Sequence, residues 1–316
     1  MRTGVRGRPR GAAAPATLGV AAVVCGLVLA SCAAGSTALV PGSHGSVSVV
    51  AAENFWGSIA RQVGGTRAEV TSIVTNPNTD PHSYEPTARD ARAVAGAQFV
   101  IENGIGYDPW MAHLLAGNPS AGRVVIDVGR VVGIPVGGNP HRWYDPADVA
   151  RVIGQISTGF GRIDPKDAGY FHRQAQDYET QGLARYHQLI RQIRDQFAGT
   201  PIGASESIVT PLADALGLKM RTPESFLDAI SEGTEPSAAD KAEIDAQIAQ
   251  HQIRIYIYNR QNSTPDVAAQ VAEANAHGIP VTTVTETLVP ADSTFQAWQV
   301  TQLQGIEAAL VRARGR

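Results

Sequence analysis

From residue 46 onward, short β-branched apolar runs alternate with longer segments whose apolar residues recur at helical spacing, and that alternation predicts parallel βα units. In the first half, strands are expected at 47–51, 70–74, 99–103 and 124–128. Asn54 stands as the cap of a helix over 55–63, Pro86 as the first residue of a helix through 95, and Pro109 as the first residue of another through 115. The punctuation then vanishes. Between 165 and 197 no proline follows Pro165 and only two glycines interrupt, which predicts a helix of roughly 50 Å, longer than one small domain needs. The second half repeats the first, with strands expected at 202–205, 219–221, 254–258 and 281–285 and helices over 237–252, 265–277 and 293–312. The expected fold is α/β, with two lobes that each carry a central, mainly parallel β-sheet flanked by helices. The lobes span 46–164 and 199–316, joined by one long rigid helix over 165–198.

The start of the chain has a different pattern. Arg2, Arg6, Arg8 and Arg10 precede an apolar run over 18–30, short for a membrane span but suited to a signal-peptide core. The run ends in Leu29-Ala30-Ser31-Cys32, which resembles the lipobox of bacterial lipoproteins. That resemblance implies a signal peptide over 1–31, a lipid on Cys32 that anchors an exported protein to the membrane, and a flexible tether over 32–45. The alternative is plain secretion after cleavage at a nearby alanine. Cys25 falls in the discarded run, so the mature domain has no thiol to pair and its metal ligands must be nitrogen or oxygen donors. A formal net charge of −3 lacks the basic footprint of a nucleic-acid binder.

Candidate chemistry gathers at the strand ends. His82 follows the second expected strand and His141 the fourth, each directly behind a proline, while Glu206 and Glu286 follow the first and last strands of the second half. In parallel α/β sheets, ligands bind outside the carboxyl ends of the strands. Two lobes facing each other across those edges would bring two neutral imidazoles against two carboxylates, a set that balances a divalent cation. Pro81 and Pro140 restrict the backbone before each histidine, so less entropy is lost on fixing the ligand. His44, His113, His172, His187, His251 and His277 lack this placement and read as surface or packing residues. Asp80 and Asp145 stand near the histidines, either as orienting partners of the rings or as turn caps, and Tyr84, Trp143 and Trp298 as cleft-lining or packing residues.

Several linked motifs resemble those of the metal-binding receptors of zinc and manganese ATP-binding-cassette importers. They are Ala52-Glu53-Asn54-Phe55-Trp56-Gly57, Asp80-Pro81-His82-Ser83-Tyr84-Glu85-Pro86, Asn103-Gly104-Ile105-Gly106-Tyr107-Asp108-Pro109-Trp110, Asn139-Pro140-His141-Arg142-Trp143-Tyr144-Asp145-Pro146 and Ser205-Glu206-Ser207. The resemblance runs from about 47 to 310. It implies one metal held between two lobes, His82 and His141 as first-lobe ligands, Glu206 as the third, and delivery of the metal by a monomeric receptor to a permease driven by a cytoplasmic ATPase. Two departures stand out. The fourth ligand of the family is usually an aspartate where this chain has Glu286, with Asp292 as a second candidate, and the His-rich loop of many zinc receptors is missing between Trp110 and His141. An ordinary nitrogen and oxygen site binds zinc more tightly than manganese, whereas two chelating carboxylates suit manganese and family members with two histidines lean that way. Manganese is therefore placed slightly ahead of zinc, with iron third. A zinc hydrolase built on the same four residues, and a surface adhesin with an incidental metal, are the alternatives; the first lacks a base-bearing metal helix such as His-Glu-x-x-His.

Overall fold

β1 (Val47–Glu53) is buried along almost its whole length because helices cover both of its faces. The computed structural model describes residues 45–315; the expected signal peptide, Cys32 and the tether as far as residue 44 lie outside them. After β1 come α1 (Asn54–Gly64), β2 (Ala68–Val74), α2 (Ala88–Gly96), β3 (Phe99–Glu102), α3 (Pro109–Gly117), β4 (Val124–Asp127) and the short α4 (Val128–Val132). The four strands form one parallel sheet in the order β2-β1-β3-β4. Its alternate residues feed two cores: Val49, Ala51, Phe99 and Ile101 pack with α1, and Val50, Ala52 and Val100 pack with Trp110 and Met111 of α3.

The second sheet is built alike. β5 (Pro201–Ala204), α8 (Thr210–Leu216), β6 (Lys219–Met220), α9 (Glu224–Ser231), α10 (Ala238–Ala249), β7 (Ile255–Asn259), α11 (Pro265–Ala276), β8 (Val281–Val284) and α12 (Phe295–Arg314) give the parallel order β6-β5-β7-β8. Each of the eight expected strands is present, with ends that differ by two residues at most.

Three local expectations change. Asn54 does not cap α1: its side-chain oxygen instead accepts from the Leu288 amide at 3.2 Å, and Glu53 occupies the cap position without a capping bond. Pro86 does not open α2, because Thr87 and Asp90 close a capping box and the helix starts at Ala88. An 18-residue helix, α5 (Pro146–Ile163), forms where no helix is expected; Asp145 caps it, and Val149, Val152, Ile153, Ile156 and Phe160 form its buried face.

The expected connector is a helical rod from α6 (Ala168–Asp177) to α7 (Ala184–Phe197), joined through one turn of π-helix at Tyr178–Gly182. The wide turn is marked by the Leu183 amide donating to the Tyr178 carbonyl at 2.8 Å. Gly182 is required there, because a Cβ would come within 2.5 Å of the Tyr178 ring.

The two sheets share a single continuous apolar core. Phe55 stacks on Trp143 at 4.0 Å, Trp143 leans on Tyr144, and Tyr144 meets Trp298 of α12 at 5.8 Å. Hydrogen bonds cross in the same place: the Phe295 amide to Ser58 Oγ at 2.9 Å, Gln299 Nε2 to the Trp143 carbonyl at 3.2 Å, and Tyr144 Oη to the Thr285 carbonyl at 2.8 Å. Lobes tied this way can rock but not swing widely. Tyr144→Phe is expected to lower stability by about 1–2 kcal/mol, the usual cost of a lost buried hydrogen bond, as a urea melt of the metal-free protein would show.

Candidate metal centre

The turn after β2 is built to hold His82 still. Asp80 Oδ1 accepts from the His82 amide at 2.9 Å, Asp80 Oδ2 accepts from Ser83 Oγ at 2.8 Å, and Trp110 Nε1 donates to the Pro81 carbonyl at 2.9 Å. The imidazole stands edge-on to Tyr107, with ring centres 4.6 Å apart. Its Nε2 is buried and has no hydrogen-bond partner in the protein. A buried ring nitrogen without a partner is free to accept a ligand.

His141 is set by Asn139. The Asn139 Oδ1 accepts from the His141 amide at 3.0 Å and faces its Nδ1 at 2.9 Å, while Asn139 Nδ2 donates across the cleft to the Ser207 carbonyl at 2.8 Å. Those two bonds fix the amide orientation, so Nδ1 carries the proton and Nε2 keeps its lone pair. That Nε2 lies 3.6 Å from Glu286 Oε1, and the histidine is 1% exposed. Burial pulls the imidazole pKa below its ordinary value, with Glu286 working in the opposite direction.

Glu206 follows β5 and is 1% exposed. Asn259 Nδ2 donates to its Oε1 at 2.6 Å and Asn262 Nδ2 to its Oε2 at 2.7 Å. Despite both donors its pKa is pushed up to about 8, first by burial and second by the charge of Glu286. Glu286 sits on a backbone held from both sides. The Thr285 amide donates to Gln302 Oε1 at 2.8 Å, Trp298 Nε1 donates to Thr285 Oγ1 at 2.8 Å, and the Thr287 amide donates to Gln261 Oε1 at 3.0 Å.

Of the four predicted residues, the structure brings one pair from opposite lobes together, His141 and Glu286, at 3.6 Å. The charge of Glu286 acts on Glu206, and His82 acts on His141. His82 and Glu286 line one cleft of about 420 Å³ together with Asp80, Gln261 and Asn262. Among the described residues, no three His, Cys, Asp or Glu side chains lie close enough together to hold a metal ion. Asp292 is exposed, away from this wall. Asp80 and Asp145 are turn and helix caps rather than ring partners, Tyr84 packs on Trp110, and Trp143 is fully buried.

Sequence reading missed the layer behind the site. Asn139 was in view as part of the Asn139-Pro140-His141 motif, but nothing in the sequence gives its side chain a role, and Asn259 and Asn262 are separated from Glu206 by more than fifty residues. A second missed feature is a buried acid pair. Glu53 is wholly buried against Asp108, and burial followed by the charge of Asp108 raises its pKa far above the ordinary carboxylate value. Asp108 accepts from the Asn103 and Gly104 amides at 2.7 Å each, and burial raises it to about 6. Asn103 in turn donates to the Pro140 carbonyl at 3.0 Å, so this pair buttresses the His141 loop.

The zinc-uptake complex component A, periplasmic, family matches residues 49–309. The chain is 28% identical over 183 residues to the manganese-binding lipoprotein MntA of Halalkalibacterium halodurans, covering 57% of this chain and 59% of that protein. It is 20% identical over 267 residues to the high-affinity zinc uptake system protein ZnuA of Bacillus subtilis, covering 78% and 82%. The chain spans about half the length of the first curated relatives it matches. In fold it is similar to a manganese-bound mutant of a periplasmic metal binding protein from Candidatus Liberibacter asiaticus, with a TM-score of 0.71 at 20% identity over 84% of this chain and 99% of that one. With the match running through both sheets and all four strand-end residues, the chain belongs to the zinc-uptake complex component A family.

Proposed function

We propose that this protein captures one divalent transition metal ion between its lobes, outside the membrane, and hands it to the permease of an ATP-binding-cassette importer. His82, His141, Glu206 and Glu286 hold the ion, and Cys32 carries the lipid anchor. The lobes are 46–164 and 199–316, with 165–198 as the connector. One observation carries the reading: a histidine with its Nε2 lone pair free faces a carboxylate of the opposite lobe at 3.6 Å. Two neutral imidazoles and two carboxylates compensate a divalent charge where a bare ion pair would be costly to bury. Manganese is favoured slightly over zinc because two carboxylates dominate the donor set.

Purified without added metal and then titrated, the protein is expected to bind manganese or zinc with a stoichiometry of one. Glu286→Asp is expected to weaken both, since the shorter side chain widens a gap of 3.6 Å. Absence of one-to-one binding by either metal would overturn the reading. The hydrolase alternative needs a carboxylate that is not a ligand, and it would gain if Glu286→Ala kept full affinity.

A further inference from the structure

We propose that Asn259 and Asn262 decide which cation the site keeps, by tying both oxygens of Glu206 so that the carboxylate meets the cargo as a two-toothed ligand. The inference rests on the metal-receptor reading and sharpens it to a substrate class, a divalent ion of high coordination number, manganese ahead of zinc.

Each oxygen of Glu206 accepts one short amide bond, at 2.6 Å from Asn259 and 2.7 Å from Asn262. The orientation of both amides is forced. Asn259 Oδ1 accepts from the Gln261 amide at 2.9 Å, which leaves only its Nδ2 to face Glu206. Asn262 Nδ2 donates to Glu206 and also to the Ile230 carbonyl at 3.1 Å, so both of its protons are placed. Asn259 is fully buried, and its own amide is held by Ser205 Oγ at 3.1 Å. The clamp thus grows from the backbone of β7 and the turn after it.

A carboxylate that binds a metal through one oxygen gives its two oxygens different tasks. Here they are treated alike: each has one neutral donor and keeps one lone pair for the ion. Symmetric chelation by Glu206 raises the donor count past the four of closed zinc sites and toward the six or more that oxygen-rich sites offer larger ions. The clamping groups are neutral amides, so they orient the carboxylate without cancelling the charge that the cation needs.

The test uses the full chain, stripped of metal, with manganese and zinc competed against a chelator and the manganese-loaded form measured by X-ray absorption. Asn262→Ala removes the donor, and the uncharged, similarly sized Asn262→Leu removes the donation while filling the space. Both are expected to lower manganese affinity by roughly ten-fold or more, the usual lower range for losing such a partner, with zinc affinity falling less, and to lower the manganese coordination number. A ratio and coordination number unchanged in both variants, with thermal melts showing a folded protein, would overturn the clamp. Wild-type protein that binds neither metal one to one overturns the receptor reading itself, and the clamp with it.

Discussion

His141→Ala is expected to lower the affinity for manganese and zinc by more than 100-fold. Loss of a partner that merely orients a ligand already costs about 10–100-fold, and His141 is read as a ligand. Among the described residues, its Nε2 is the one ring nitrogen that is both free of a hydrogen-bond donor and within 3.6 Å of a carboxylate of the other lobe. Without it, the site loses the ring nitrogen that stands 3.6 Å from Glu286 Oε1. The fold should survive. The substitution leaves Asn139 Oδ1 with the residue 141 amide as its donor, so the cost is on the order of 1–3 kcal/mol. Thermal melts separate the two effects: wild type gains stability on adding metal, by about 2.7 kcal/mol at a hundred times Kd, and the variant at the same metal concentration gains about 0.4 kcal/mol or less. A metal-induced gain of wild-type size in His141→Ala would remove this residue from the site.

What was legible in the sequence followed from periodicity and from strand ends. Eight short β-branched runs predict eight strands, and parallel topology puts His82, His141, Glu206 and Glu286 at the carboxyl ends of four of them. Local capping was read less well, because a cap depends on what else competes for the side chain. Asn54 is spent on Leu288, 234 residues away, and Thr87 rather than Pro86 closes α2 through Asp90. α5 carries glycines at 154, 159 and 161 that weaken its helical signal; Gly159 is needed for close packing, since a Cβ there would meet the Phe99 ring at 2.5 Å. The layer behind the ligands was illegible for a simpler reason. An asparagine that clamps a carboxylate from another strand has no local signature, and neither does Glu53, whose burial is set by the helices on both sides of β1.

Metal binding at pH 7 is expected to release about one proton, and the metal-free protein is expected to lose stability as the pH rises from 6.5 to 8. Both follow from carboxyl groups that burial holds protonated. Glu206 is raised from 4.5 to about 8 and Glu102 from 4.5 to about 7, in each case mainly by burial. Between its ordinary and its raised value, each group holds a proton in the folded chain that it gives up on unfolding, so stability falls as pH climbs through that window. His141, kept neutral by burial, works in the opposite sense, but only below its ordinary value of 6.5. Above 6.5 the carboxyl groups act without that opposition. Each 1 kcal/mol lost lowers the melting midpoint by about 2–4 °C, so melts at pH 6.5 and 8 with a chelator present resolve the effect. A bound cation takes the place of the Glu206 proton, so metal should flatten the dependence, and the displaced proton should appear as a binding heat that varies with the ionisation enthalpy of the buffer. Glu206→Gln removes that buffer dependence along with most of the affinity. If the wild-type binding heat were the same in every buffer, Glu206 would already be ionised before the metal arrives, and the two asparagines would be stronger donors to it than burial is an opponent.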